Sequence, residues 1–234
     1  MADLDPDCLS SVSNQTVPVS KVIISCLRLK GGTTASRVSI VLNRGLARTN
    51  LADYDYLFRL DCDTVLKPTF LEYHLKGSPD LVGTGGYAML IKVKPFLELM
   101  GGKFNSVSDD SYILYKFQYE GKQVRRVNDD LLRTRVRAHS KKDQMFIGSI
   151  YYRIGYEPIH VFGFLFAKIM LRRHPVKYAV TNAEWQNNMW FFIAGYLVTW
   201  LKRERKFDFA DRVWNYQVRR LLPFGRKIEG GIRW

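Results

Sequence analysis

The chain has 234 residues, of which 47% are hydrophobic and 25% charged, so it is long enough to bury one sizeable core, and its composition excludes a disordered polar chain. Lysine and arginine exceed aspartate and glutamate by 36 to 22, a net charge of +14, which predicts an anionic partner: nucleic acid, a membrane surface or nucleotide phosphates. The three cysteines have no C-x-x-C spacing and are odd in number, which argues against a zinc site or a disulfide framework and favours a reducing, cytoplasmic compartment.

The first elements alternate between strand and helix patterns. "KVIISCL" (21–27) is a short β-branched run that predicts a buried strand. "TTASRVSIVLNRGLART" (33–49) carries apolar residues on one helical face, and "YDYLFRLDCD" (54–63) predicts a second strand. Strand, helix and strand in this order predict a parallel α/β sheet.

The next elements are separated by proline and glycine, which favour helix starts and stops respectively. In chain order the sequence predicts a helix from Pro68 to Gly77, a glycine-interrupted strand over 80–93, a helix over 94–103 that ends in two glycines, a helix from Ser108 to Gly121, and an extended segment at 122–127.

Two acidic pairs lie at the ends of these elements. Asp61 and Asp63 follow a strand and share one face, because residues i and i+2 of an extended chain project to the same side. Adjacent carboxylates repel each other and are stabilised by hard dications such as Mg²⁺ or Mn²⁺. Asp109 and Asp110 open a helix with Ser108 as the predicted N-cap. A solvated turn and simple helix capping are the alternative explanations of the two pairs.

The last third of the chain is helical, basic and aromatic. Its apolar stretches at 161–171 and 189–201 are shorter than the ~20 residues that a bilayer crossing requires, and basic residues follow both. They predict either buried core helices or helices that lie in a membrane interface. An amphipathic helix is predicted over 209–227. The predicted organisation is an α/β domain over 1–138 and a helical second region over 139–234.

Taken together, "LFRLDCDTVLKPTFLE", "GTGGYAMLIKVKPFLELMGG" and "SDDSYILYKFQYEGKQVRRV" resemble the family-2 glycosyltransferases, which have the GT-A fold. That family runs an apolar strand into D-x-D, follows it with a glycine-rich acceptor strand, and then opens a helix with Ser/Thr-Glu-Asp. The upstream "KGGTTASRVSIVLNRGLA" is similar to a family segment with a basic residue and an alanine-rich helix start. The resemblance covers about 22–127.

The resemblance implies a Rossmann-like, mixed and mainly parallel sheet with flanking helices. Relatives carry a further strand, helix and strand ahead of the matched segment, whereas about twenty residues precede "KVIISCL" here. We therefore expect a GT-A-like domain that is short at its N-terminus, without the family's first strand.

The same resemblance implies roles for both acidic pairs. Asp61 is expected near the donor's ribose or the metal, and Asp63 on the Mg²⁺ or Mn²⁺ ion that bridges the diphosphate. Asp110 matches the aspartate that acts as general base, and Asp109 stands where the family has glutamate.

Three outlying residues are also implied. Asp5, in a remnant of the family's Asp-x-x-Ser/Thr-x-Asp turn, and Arg37 are expected to contact the nucleotide-sugar donor. His139 lies where some relatives place a late metal or diphosphate contact, although a solvated loop is the alternative. Further arginines form either a basic face or a phosphate site: Arg125, Arg126, Arg133, Arg135 and Arg137.

The expected function is metal-dependent, inverting transfer of a sugar from a nucleotide-sugar to a hydroxyl acceptor, either lipid-linked or a glycan. The expected location is the cytoplasm, with peripheral attachment to an anionic membrane surface. A nucleic-acid-binding module would explain the charge and the tyrosines near the arginines, but not the two acidic pairs. A catalytically inactive relative acting as a scaffold also stays open, and a metal-dependent nucleotidyltransferase is a more distant alternative.

Overall fold

The computed structural model describes residues 5–26, 31, 34–83, 86–134, 140–163 and 182–221. The chain divides into two compact units, Met1–Arg135 and Val136–Trp234. The first unit contains helices and strands and the described part of the second is helical, so the expectation of a mixed α/β protein is confirmed.

In the first unit most predicted elements form close to their predicted positions. Its helices are α1 (Pro6–Ser13), α2 (Thr34–Leu46), α3 (Phe70–Leu75), α4 (Val93–Met100) and α5 (Asp109–Tyr119). Its strands are β1 (Tyr56–Leu60), β2 (Val65–Leu66), β3 (Leu81–Gly83), β4 (Ala88–Lys92), β5 (Val124–Arg125) and β6 (Leu132–Arg133). Helix α4 ends at Gly101, whose φ of 59° is the left-handed conformation that glycine adopts without strain.

The larger sheet has the strand order β1-β4-β3-β5 and is mixed. Strand β4 pairs antiparallel with both β1 and β3, and only the β3–β5 pairing is parallel. The expectation of a mainly parallel sheet therefore does not hold among the described strands. The residues predicted as one glycine-interrupted strand over 80–93 form two strands instead. Strand β3 ends at Gly83 and pairs antiparallel with β4, which begins at Ala88, so the chain reverses between them.

The predicted strand at 21–27 is also not observed. Residues 21–26 have no strand assignment, and Leu27 lies outside the described residues. Val22 and Ile24 are exposed, and Ser25 donates a hydrogen bond from Oγ to the carbonyl oxygen of Val41 in α2. A β-branched run becomes a strand only where a neighbouring strand supplies ladder hydrogen bonds, and no described strand pairs with this segment.

Strand β4 separates two hydrophobic clusters, because successive residues of a strand project to opposite faces. Ala88 and Leu90 pack in a cluster with residues of α3, whereas Met89 and Ile91 pack in a cluster with residues of α4 and α5. All four side chains are buried, and burial of each of the three larger ones, Met89, Leu90 and Ile91, stabilises the fold by about 1.5–3 kcal/mol. The two clusters fix β1, the neighbour of β4, and thereby the position of the residues that follow β1.

The second unit contains the helices α6 (Lys141–Ile154), α7 (Asn182–Leu201) and α8 (Ala210–Leu221). Residues 158–163 are helical as well. Helices α6 and α7 cross closely at two glycines. A Cβ atom at Gly148 would overlap the carbonyl oxygen of Phe192, and one at Gly195 would overlap that of Met145. The contact thus brings main chain against main chain, which any larger residue at either position prevents.

The predicted amphipathic helix at 209–227 is observed as α8 over its described residues. Val213 is fully buried, while Trp214 is exposed. Most of the apolar stretch at 161–171 lies outside the described residues. No helix within the described ranges combines the length and apolar character that a membrane crossing requires.

Candidate functional site

The site is built where β1 ends, beside Gly86 and Tyr87, which precede β4. The Asp61 N–H donates a hydrogen bond of 2.9 Å to the carbonyl oxygen of Tyr87, which extends the β1–β4 pairing past Leu60. The Thr64 N–H then bonds the carbonyl oxygen of Asp61 at 3.1 Å. This bond closes a tight turn that contains both Asp61 and Asp63.

The second acidic pair is brought to the first by Arg59, a residue of β1. Its side chain projects to the same face as that of Asp61 by the alternation of the strand, and the residue is only 6% exposed. Its Nη1 forms a short ion pair with Oδ2 of Asp109, and its Nη2 lies 3.8 Å from Oδ1 of Asp61. The guanidinium also lies 5.9 Å from the ring centroid of Phe104. One buried cation therefore joins a residue of each acidic pair.

Asp109 is buried with this arginine and is 5% exposed. Burial raises the pKa of Asp109, the positive charge of Arg59 opposes that rise, and the negative charge of Asp110 adds to it. Its position in the first turn of α5 favours its negative charge. This aspartate is an internal partner of Arg59, so its contribution is to hold the site together.

Asp61 is more accessible, since 45% of its side chain is exposed. Burial of the carboxyl group raises the pKa of Asp61 to about 6, with Arg59 opposing the shift and Asp63, Asp109 and Asp110 adding to it. A carboxyl group with this pKa exchanges its proton near neutral pH. A dication that binds there replaces that proton.

Asp110 is oriented by two serines. Its Oδ1 accepts hydrogen bonds from the Ser111 N–H at 2.6 Å, from Oγ of Ser111 at 3.3 Å and from Oγ of Ser108 at 3.4 Å. Its Oδ2 lies 3.4 Å from the point where a Cβ atom of Gly86 would stand, and that point is 2.7 Å from Nη2 of Arg59. The absence of a side chain at Gly86 leaves room for both groups.

Ser108 does occupy the N-cap position of α5, as the sequence predicts. Its side chain, however, makes no capping hydrogen bond to the helix and bonds Asp110 instead. The serine thus fixes a carboxylate of the candidate site rather than the end of the helix.

Helix α1 holds the turn of Asp61 and Asp63 from the other side. The Asp5 N–H donates to the carbonyl oxygen of Cys62 at 3.0 Å, and Sγ of Cys8 donates to that of Asp61 at 3.7 Å. Asp5 therefore lies beside the candidate site. Its carboxylate is engaged in capping α1, because Oδ1 accepts a bond from the Asp7 N–H.

Residues farther along the chain also hold the segment that follows this turn. Strand β2 pairs antiparallel with β6, which places Arg133 opposite Val65. Arg133 is well exposed, and its Nη2 lies 3.7 Å from Oδ2 of Asp7. Its pairing partner, Val65, follows Asp63 by two residues.

The structure does not bring every predicted residue to the site. Arg37 is exposed on α2 and its described hydrogen bond is to Oγ1 of Thr34, at 3.4 Å, with no described contact to the acidic residues. His139 lies outside the described residues, as do Arg135 and Arg137. The proposed contacts of Arg37 and His139 stay predictions.

The turn fits a dication of the oxygen-binding class. Proteins commonly hold Mg²⁺ through one or two carboxylates, with substrate phosphates as the remaining ligands. Asp61 and Asp63 lie in the same turn, and the negative charge of Asp63 raises the pKa of Asp61. Among the described residues no group of three or more histidine, cysteine, aspartate or glutamate side chains forms a metal site, so this turn would supply at most the two carboxylates.

Sequence reasoning missed Arg59. The signal was present, since the period of two that places Asp61 and Asp63 on one face places Arg59 on that face as well. A charged residue within a run as apolar as "YLFRL" indicates a buried partner, because an isolated buried charge is strongly unfavourable. The partner, Asp109, is far away in sequence and only the fold identifies it.

Comparison with known proteins gives no family assignment. No family model, curated protein or solved structure matches the chain.

Proposed function

We propose that the chain is a metal-dependent glycosyltransferase with a GT-A-like domain, which transfers a sugar from a nucleotide-sugar to a hydroxyl acceptor with inversion. The observation that supports this proposal best is the convergence of Asp61, Asp109 and Asp110 around Arg59 at the end of β1. A solvated acidic turn would not include a buried arginine, and simple helix capping would not bring α5 to that turn.

In the proposed reaction Asp61 and Asp63 hold Mg²⁺ or Mn²⁺. The bound ion supplies neutralisation of the diphosphate leaving group. The turn lies between α1 and β2, and the hydrogen bonds of Asp5 and Cys8 to its carbonyl oxygens keep its main chain fixed. A fixed main chain at this turn lowers the ordering cost when donor and metal bind.

Asp110 is the proposed general base. Bonds to Ser108 and Ser111 fix one carboxylate oxygen and leave the other toward Gly86, where the chain carries no side chain. As the acceptor oxygen attacks the anomeric carbon, its proton passes to Asp110 and the bond to the nucleoside diphosphate breaks. Asp109 is not the base in this assignment, because it is buried against Arg59.

The test pairs donor binding with transfer. A thermal-shift screen of UDP-, GDP- and dTDP-sugars with Mn²⁺ identifies the donor, because a ligand that binds the folded state stabilises it. We expect Asp63→Ala to abolish metal-assisted donor binding. We expect Asp110→Asn to retain donor binding and to lose transfer by about 10²-fold or more, the usual contribution of a general base. Asp211→Asn, an exposed change in α8, is the matched control.

Each part of the proposal has its own contrary result. If Asp110→Asn transferred sugar at the wild-type rate, the base assignment would be wrong. If no sugar-nucleotide stabilised the wild-type chain in the presence of Mn²⁺, the transferase proposal itself would fail. Salt-sensitive RNA or DNA binding without any such stabilisation would support the nucleic-acid alternative instead.

We also propose peripheral attachment to an anionic membrane surface. On α7, Trp190 and Leu201 are each 70% exposed, and Trp200 is exposed as well. Lys202 and Arg203 follow directly in the chain, and a basic residue near an anionic surface contributes about 1 kcal/mol. We expect the protein to float with phosphatidylserine liposomes at low salt. Complete recovery in the unbound fraction would contradict attachment.

A further inference from the structure

The candidate site already contains a cation. Arg59 is enclosed by Asp109, Asp61 and, across Gly86, Asp110. Because its guanidinium lies within ion-pair distance of Asp61, one of the two proposed metal ligands, the arginine and a bound dication would share a carboxylate.

The surroundings of Arg59 keep it in this place. The residue is 6% exposed, its Nη1 lies 3.9 Å from the sulfur of Met89, and the guanidinium lies near the ring of Phe104. Its Nε is buried and has no hydrogen-bond partner among the described residues. The contacts of the guanidinium are therefore mainly with the carboxylates. A buried guanidinium in such contact is not free to move aside when another cation arrives.

We propose that Arg59 is the built-in counter-ion of this site, a positioning residue that holds Asp109 and Asp61 together and limits how tightly Asp61 and Asp63 bind a dication. The inference rests on the proposed function and deepens it. The physical basis is Coulombic: a fixed positive charge a few ångströms from the metal position repels the ion, and partial burial makes that repulsion larger than in water.

A weakened metal site suits the proposed reaction. The dication would then be retained chiefly when the negative phosphates of a donor supply the missing charge and ligands. Metal binding and donor binding would become mutually dependent, since each ligand completes the site of the other. The product nucleotide would leave together with its metal.

The experiment measures Mn²⁺ affinity of the full chain by calorimetry, without donor, for wild type, Arg59→Met and Arg59→Lys. Methionine has a similar reach but no charge, whereas lysine keeps the charge. We expect Arg59→Met to bind Mn²⁺ about tenfold more tightly than wild type, from the loss of one charge at this distance. We expect Arg59→Lys to stay within about threefold of wild type. A purely structural role for Arg59 predicts the reverse, weaker binding in Arg59→Met.

Folding is monitored in the same samples. Arg59→Met leaves Asp109 buried without a counter-ion, so we expect a lower midpoint of thermal unfolding in EDTA, and a larger rise on adding Mn²⁺ than wild type shows. The double variant Arg59→Met/Asp109→Asn removes both charges and should regain most of the lost midpoint. If Arg59→Met alone does not fold, the double variant carries the affinity comparison, with Asp109→Asn as its reference.

The outcomes separate this inference from the proposed function. If wild type transfers sugar but folded Arg59→Met binds Mn²⁺ no more tightly, the inference is wrong and the function stands. If wild type neither transfers sugar nor binds Mn²⁺ while Arg59→Met does bind it, the inference stands and the function is wrong. If no variant binds Mn²⁺ without donor, Arg59 is not what limits the affinity and the inference is wrong, while the proposed function is decided by the thermal-shift screen with donor.

Discussion

The Mn²⁺ binding proposed for Asp61 would depend on pH because of the environment of this carboxyl group. Burial raises the pKa of Asp61 to about 6, and the negative charge of Asp63 adds to the shift although Arg59 opposes it. Since a carboxylate must lose its proton before it binds a metal ion, proton and Mn²⁺ compete for Asp61. Lowering the pH from 7.5 to 5 is therefore expected to lower the affinity for Mn²⁺ without any substitution.

The size of the effect can be worked out from that pKa. With a pKa of about 6, roughly one molecule in eleven has Asp61 ionised at pH 5, half at pH 6 and nearly all above pH 7. The apparent dissociation constant for Mn²⁺ is expected to be about tenfold larger at pH 5 than at pH 7.5, and about twofold larger at pH 6. An aspartate with an ordinary pKa would change the affinity by only about 10% over this range.

Calorimetric titration with Mn²⁺ at pH 5, 6, 7 and 7.5, at constant ionic strength, measures this dependence. Proton release, obtained by repeating the titration in buffers of different ionisation enthalpy, should approach one proton per Mn²⁺ at pH 5 and fall toward zero at pH 7.5. Asp61→Asn should bind more weakly at pH 7.5 and lose the gain in affinity between pH 5 and 7. A wild-type affinity that is unchanged across this interval would refute the reasoning.

The same pKa shift affects the stability of the metal-free protein in the opposite sense. A carboxyl group whose pKa is raised on folding binds its proton more tightly in the folded state, so its contribution is fully present below pH 4. That contribution is lost as the pH rises through about 6. Because nearly half of the Asp61 side chain is exposed, solvent screening reduces the amount, and the metal affinity is the sharper measurement.

Two predictions concern how the elements are held. Gly148→Ala forces α6 and α7 apart at the Phe192 carbonyl and should lower the free energy of unfolding by about 1–3 kcal/mol in urea titration. Gly163→Ala, where no atom of the described residues lies within 4 Å of the added atom, should be neutral, and equal stability of both variants would contradict the close crossing. Gln15→Ala removes the amide that donates to two carbonyl oxygens and accepts from the Leu71 N–H. It should lower the midpoint of thermal unfolding and reduce the free energy of unfolding by about 1–3 kcal/mol, whereas Ser13→Ala should leave both unchanged.

Elements whose residues carry a strong local pattern could be predicted from the sequence. The apolar face of α2 and the two glycines after α4 both produced the expected helices. The glycines at 83–86 were ambiguous, because they interrupt a strand or reverse the chain equally well. The pairing of β4 with both β1 and β3 depends on contacts distant in sequence, so strand periodicity alone does not predict it.

The candidate site, like the fold, could be predicted only where the signal is local in the sequence. Asp61, Asp63 and Asp110 could be identified from residue type and position, because carboxylates at element ends carry a recognisable chemistry. The burial of Asp109 and its pairing with Arg59 could not, since neither residue has its partner within its own element. The role of α1 was equally hidden, because its contacts are with the main chain of another segment.

This last feature has a consequence for how the turn of Asp61 and Asp63 keeps its shape. Polar residues of an ordinary-looking short helix, among them Ser11, supply hydrogen bonds that the turn and the residues after it do not supply for themselves. Changes around α1 are thus transmitted to the acidic turn without any residue of the turn being altered. Such a change would lower the metal affinity by altering the main-chain conformation of the turn, with both carboxylate ligands still present.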